Sequence, residues 1–434
     1  MKENFSVLVN QKIKTFKKII NVESDKSISH RSLLIASQCI GISKIDNILE
    51  SEDVKNTIVC LKKLGVKIIK KNKNYLVFGN GFNSFKKPKN NLLYAGNSGT
   101  LARMLFAVLA TQPNLKIKIV GDNSLNKRDM KRIINPLSKI GCNFYPKNKT
   151  TLPLTVEGTN MPLAQKHFEN IGSAQVKSAI LLAALNTPGV TKIEVKKISR
   201  DHTENLLSKI KANIKVKKIG NIQTISLEGQ KNLFGFNLDV PGDPSSAAPF
   251  VVLTLITPNS KLVIKNINCN PTRIGFIKIL KKMNADVKIK NVKRSASSGE
   301  LIGSIIVNSS KLKAVNISKD TAKFIDEIPI LAVVASLSKG TMIINGVSEL
   351  KHKESDRVHA IICNLNKMRV DARASNDRII VKGNNRLHNT SIKTFSDHPD
   401  LLLNKGVPKE VIEESKKKMR SINSAWNKIQ KLKN

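Results

Sequence analysis

Apolar residues recur at spacings of three and four, as in Val54, Ile58 and Leu61 or Ile274, Ile277 and Leu280, which predicts a series of amphipathic helices. Each of these helices closes on one recurring phrase and passes into a β-branched strand. The copies are LKKLGVKII from Leu61, LSKIGCNF from Leu137, LSKIKANIKV from Leu207, LKKMNADVKI from Leu280 and LNKMRVDARA from Leu365. Gly65 and Gly141 stand where a helix end favours a left-handed residue. Units of about 75 residues are too long for a solenoid. They predict an α/β (α+β) fold with five clear copies of one unit. A sixth copy falls due at about residue 440, and the chain ends at Asn434, so that unit is expected to be divergent or truncated. Generic helix-to-strand junctions, common to any α/β protein, are the plainer alternative.

Length and charge change this picture only in part. At 434 residues the chain exceeds what one core usually fills, so two domains are expected. Lys plus Arg number 74 against 32 Asp plus Glu, a net charge of +42. That excess is spread along every segment, as on a solvated surface, although a basic balance also suits anionic substrates. Aromatic residues make up only 4%, and the basic runs lack interleaved rings for stacking on bases, which argues against nucleic acid. Cys39, Cys60, Cys142, Cys269 and Cys363 lie far apart without a CxxC, and read as core residues of a cytoplasmic protein with no metal site. The longest apolar runs, at 180–185 and 250–256, fall well short of the roughly 20 residues that span a bilayer.

Candidate chemistry gathers at strand-to-helix junctions. Residues 23–31, with Lys26, Ser27 and Arg31, lead an apolar helix whose N-terminus would attract an anion; a serine-capped helix with surface cations is the ordinary alternative. Gly96, Asn97, Ser98, Gly99 and Thr100 form a glycine-containing loop that lacks the GxxxxGK[ST] of a nucleotide P-loop. Arg128, then Ser173, Ala174 and Gln175 ahead of a helix placed at 179–185, then Arg200, stand at further junctions. Arginines there suit planar anions. Asp326 and Glu327 precede one apolar helix, and Lys353, Glu354 and Arg357 precede the next. Asp326 and Glu354 could act as base and acid if brought together; helix capping is the competing account of Asp326 and Glu327.

In order along the chain, DKSISHRSLL, GNSGTLAR, GDNSLNKRDM, GSAQVKSAILLAAL, SRDHTENLL, VPGDPSSAA, NPTRIGF, DEIPILAV and KHKESDR resemble the enolpyruvyl transferases, specifically their shikimate-pathway branch. The resemblance covers Lys26 to Arg357. It implies a two-domain fold of βαβαββ-type units, residues 1–20 and 239–434 forming one discontinuous domain and 21–238 the other. It also implies transfer of the enolpyruvyl group of phosphoenolpyruvate to the 5-hydroxyl of shikimate 3-phosphate, in aromatic amino acid biosynthesis, with no cofactor. By the same resemblance Lys26, Ser27, Arg31, Ser173, Ala174, Gln175, Arg200, Asp326 and Lys353 hold shikimate 3-phosphate. Lys26, Asn97, Gly99, Arg128, Gln175 and Arg357 hold phosphoenolpyruvate, and Asp326, Glu354 and Lys26 carry the proton transfers. The partners it implies are these two small molecules, met by a cytoplasmic monomer that binds neither nucleic acid nor membrane.

The pattern breaks late. Where the family reads Asp-His-Arg-Ile-Ala-Met, this chain has Asp397, His398, Pro399, Asp400, Leu401 and Leu402, so an arginine expected on phosphoenolpyruvate is absent. A divergent end and a reading-frame change after His398 both account for the tail. Two other functions stay open beside the transferase: a homologue that binds shikimate 3-phosphate without turnover, and a basic nucleic-acid-binding protein.

Overall fold

A computed structural model describes residues 13–391, apart from 73, 319–320, 354, 384–386 and 389. All five phrases end a helix and enter a strand. The helices are Glu52–Lys63, Lys131–Ile140, His202–Lys209, Gly275–Lys282 and Arg357–Lys367. The strands that follow them are Lys67–Lys71, Asn143–Tyr145, Ile214–Ile219, Val287–Arg294 and Ala372–Ser375. Helix Lys131–Ile140 shows the logic: Ile133, Leu137 and Ile140 form one buried stripe, and Gly141 stops the helix at φ 117°. The same position of the phrase is left-handed in every copy, at Gly65, Gly141, Lys211, Asn284 and Arg369. Only the two glycines had been legible. Lys211 and Arg369 accept φ values of 62° and 60°, at about 1–2 kcal/mol each, because the strand must fold straight back on its helix.

The units build small mixed sheets. In residues 92–157 the strands Leu92–Tyr94 and Lys116–Val120 pair in parallel, and Leu154–Glu157 joins them to Asn143–Tyr145 by antiparallel pairing. The next unit repeats this with Lys166–Glu169, Val190–Val195, Ile222–Glu228 and Ile214–Ile219. The unit around Thr341–Asn345 keeps the two antiparallel pairings and meets Ile317 through a parallel bridge to Ile344. The remaining two units exchange their first strands. Lys17–Ile20 pairs with Lys261–Asn268, and Asn237–Asp239 pairs with Ile40–Asp46.

Segments 22–25 and 240–243 therefore run side by side. Asp25 donates its N–H to the Pro241 carbonyl at 2.8 Å, Asp243 donates to that of Glu23 at 2.8 Å, and Ser24 bridges Gly242. Two hydrophobic clusters lie on either side of this crossing, one of buried residues between Ile28 and Val240, the other between Ala247 and Val381. Cys39, Cys60, Cys142 and Cys269 are buried and Cys363 is partly so. Among the described residues no helix is long and apolar enough to cross a membrane.

Candidate active site

Helix N-termini and the turns before them supply the site. Asp25 caps helix Lys26–Ala36, Ser98 caps Gly99–Ala110 and Ser173 caps Ala174–Ala184, each with its side chain accepting a backbone N–H. The last helix begins five residues earlier than the sequence suggested, so Ala174 and Gln175 are its first turn. Capping does not explain the acidic pair: Asp326 lies in the 3-10 turn Ile325–Glu327, and Glu327 makes no side-chain cap bond to the helix Ile328–Leu337.

Asp326 is the centre of one cluster. Its carboxylate accepts from Arg200, from Lys353 Nζ at 3.3 Å and from Arg357 Nη1 at 3.4 Å, with its side chain 24% exposed. Burial would raise this carboxyl, but Arg200, Lys353, Arg273 and Arg357 together hold it well below the usual carboxylate range. Three donors on one half-open carboxylate leave surplus positive charge, a setting in which incoming anions are stabilised.

A second cluster surrounds the glycine loop. Arg128 Nη2 donates to Asn97 Oδ1 at 2.5 Å, and Asn97 Nδ2 donates to Asp122 Oδ2 at 2.6 Å. Arg103 Nη1 donates to Gln175 Oε1 at 2.5 Å, while Gln175 Nε2 donates to Thr100 Oγ1 at 2.9 Å. A Cβ on Gly99 would stand 2.9 Å from Arg103 Nη1 and 3.2 Å from Arg128 Nη1, so glycine keeps the space between two guanidinium groups open. In the sequence the signal for Arg103 is its place four residues after Gly99, on the same helix face.

Arg31 sits behind these loops, 3% exposed. It donates to Ser178 Oγ at 2.9 Å, Thr203 Oγ1 at 3.0 Å and the Ser27 carbonyl at 2.9 Å. Lys26 is exposed and pairs with Asp53 at 3.0 Å. Beside Arg31, the fully buried Lys177 Nζ lies 2.7 Å from Glu204 Oε1, an ion pair that joins helices Ala174–Ala184 and His202–Lys209 beneath the Ser173 and Arg200 loops. The Ser173 loop also lies against the turn before Asp326, since a Cβ on Gly172 would stand 4.0 Å from that of Ala322. Arg132, four residues after Arg128, forms a two-pronged pair with Glu349 at 2.9 and 3.2 Å, four residues before Lys353. Glu354 and residues 396–402 lie outside the described residues.

The family model for EPSP synthase (3-phosphoshikimate 1-carboxyvinyltransferase) matches residues 10–399. The chain belongs to the EPSP synthase family. A 3-phosphoshikimate 1-carboxyvinyltransferase of Petrotoga mobilis is 43% identical over 386 residues, 87% of each chain. One of Bacillus cytotoxicus is 38% identical over 382 residues, covering 87% of this chain and 88% of that protein. Among solved structures, EPSP synthase from Acinetobacter baumannii superposes with a TM-score of 0.74 at 37% identity, covering 85% of this chain and 82% of the other. The EPSP synthase match ends at residue 399, next to His398, where the motif pattern departs.

Proposed function

We propose that this chain transfers the enolpyruvyl group of phosphoenolpyruvate to the 5-hydroxyl of shikimate 3-phosphate and releases phosphate. The observation that carries the reading is Asp326, a single carboxylate facing Arg200, Lys353 and Arg357. Lys26, Ser27, Arg31, Ser173, Ala174, Gln175, Arg200 and Lys353 take the shikimate 3-phosphate side in this reading. Asn97, Gly99, Arg128 and Arg357, with Lys26 and Gln175, take phosphoenolpyruvate. Residues 1–20 with 239–434, and 21–238, act as two domains that meet at the crossing segments, a division favoured by the two separate hydrophobic clusters. The protein is read as a cytoplasmic monomer.

The chemistry follows from the charges. A carboxyl held so low is a weak base for an alcohol, so Asp326 takes the 5-hydroxyl proton only as the oxygen bonds to C2 of phosphoenolpyruvate and C3 gains a proton, a step assigned to Glu354 with Lys26. Bound phosphate and carboxylate groups neutralise the cations around Asp326 and raise its basicity at that moment. The tetrahedral adduct then loses a C3 proton and phosphate, restoring the vinyl group. The cations offset the repulsion of two anions in one cleft and orient them.

Phosphate release by purified protein given both substrates tests the reading, with calorimetry on shikimate 3-phosphate alone beside it. Release dependent on both substrates is expected. Binding without release would leave the non-catalytic homologue standing, and neither would sink both.

A further inference from the structure

Three residues placed at the site above have a chain neighbour that is tied into one turn away from it. Lys26 follows Asp25, Arg200 precedes Asp201, and Asp326 precedes Glu327. The turn is 268–273, between strand Lys261–Asn268 and helix Gly275–Lys282. Asn268 Nδ2 donates to Asp25 Oδ2 at 3.3 Å, and Asn270 Nδ2 donates to Asp201 Oδ1 at 2.6 Å. Arg273 Nη2 donates to Asp243 Oδ1 at 2.5 Å and to Ser245 Oγ at 3.0 Å, and lies 3.9 Å from Asp25 Oδ2. Ser245 in turn donates to Glu327 Oε1. The Asp25 and Asp243 carboxylates receive the backbone N–H groups of Ile28 at 3.1 Å and Lys26 at 3.4 Å, the first turn of the Lys26 helix.

We infer that Arg273 is a positioning residue for enolpyruvyl transfer: it fixes the start of the Lys26 helix and the Asp326 turn against one another across the crossing segments. The inference rests on the function proposed above. Arg273 makes no hydrogen bond or ion pair to a group placed on substrate, although its charge adds to those that lower Asp326; it is 2% exposed, and its partners Asp25 and Asp243 are 0% and 8% exposed. All three contacts are made from Nη2, so one charged nitrogen at the end of a long stem gathers the Asp243, Ser245 and Asp25 oxygens. The link spans segments far apart in sequence and adds a buried charged contact to the backbone bonds of the crossing. A misplacement of about 1 Å at a reacting group costs on the order of 100-fold in rate.

The test uses the full chain with Arg273→Met and Arg273→Lys. For Arg273→Met, kcat is expected to fall about 100-fold, with KM for each substrate moving less than about tenfold, and Arg273→Lys to recover a part of the loss. A kcat within about threefold of the parent in Arg273→Met would overturn the inference. Amide exchange without substrate reads the same link independently of turnover. Exchange should quicken in both 25–29 and 325–329 while 101–109 stays unchanged; quickening in one segment alone, in neither, or throughout the chain also overturns it. A parent protein that releases no phosphate would sink the proposed function, and the exchange measurement would still decide the role of Arg273. If Arg273→Met does not fold, Arg273→Gln takes its place, and a kcat within about threefold of the parent or unchanged exchange in either segment overturns the inference.

Discussion

Two charge clusters in this molecule are built in opposite senses. At Asp326 one carboxylate faces Arg200, Lys353 and Arg357, each side chain 22–29% exposed. At Arg273 one guanidinium lies among Asp25 and Asp243 with almost no exposure. The first has more positive charge than its own carboxylate can match and is open to solvent, so its balance is completed from outside. The second is closed, its one cation buried together with two carboxylates. Burial alone would raise the Asp25 carboxyl, yet Arg273, His202, the Ile28 N–H and Arg200 together outweigh it and bring the value down to about 2. Burial together with the Asp25 charge pushes Asp243 the other way, with Arg273 offsetting only part. Surplus charge thus marks where ligands belong, and closed charge marks where the chain is being held.

The largest expected effect breaks the contrast on its open side. Asp326→Asn should lower turnover by roughly 10²–10⁴-fold, the range for losing a general base, with the affinity for shikimate 3-phosphate within about tenfold of the parent because the cations remain. Phosphate release and calorimetry measure the two; an equal loss in both would give Asp326 a holding role instead.

On the closed side, Asp25→Ala should cost about 3 kcal/mol of unfolding free energy, from a broken buried pair and a lost helix cap. Urea unfolding at neutral pH reads it. The acid limb carries a sign as well. With a folded value of about 2 against an ordinary 3.8, the Asp25 contribution is complete above about pH 4 and lost as pH falls through about 2. The variant should lose that part of the acid dependence, and an unchanged acid limb would assign it to other carboxyls.

Smallest is the exposed pair Arg132–Glu349, which also joins segments far apart in sequence, with side chains 46% and 43% exposed. Arg132→Ala should change stability by less than about 1 kcal/mol, and the difference should fade with added salt. A loss as large as that of Asp25→Ala would show that burial is not what separates these contacts.

Much of the frame was legible because helix ends repeat a local phrase, and apolar spacing survives any surface composition. The left-handed turns at Lys211 and Arg369 were not, since neither residue advertises the conformation that packing imposes. Gly158 and Gly229 were not legible either: a Cβ on them would overlap carbonyls at the ends of helices Gly99–Ala110 and Ala174–Ala184, those of Leu109 and Gln112 or of Ala184 and Thr187. At the candidate site, motif residues were legible singly and their partners were not. Arg273 lay within the quoted NPTRIGF, but Asp25 stands about 250 residues away, and only the strand exchange brings them together. The buried pair of Lys177 and Glu204 was not legible either, since charge alone does not tell burial.

That strand exchange also sets an order of assembly on the ribosome. Lys17–Ile20 is made early and finds its parallel neighbour only when residues 261–264 have emerged, and strand Ile40–Asp46 waits for 237–239 to cover its open edge. Units at 92–157 and 166–228 close within themselves. They can therefore fold as they appear, while the exchanged pair leaves unsatisfied strand edges during synthesis, the surfaces most prone to mispairing between nascent chains.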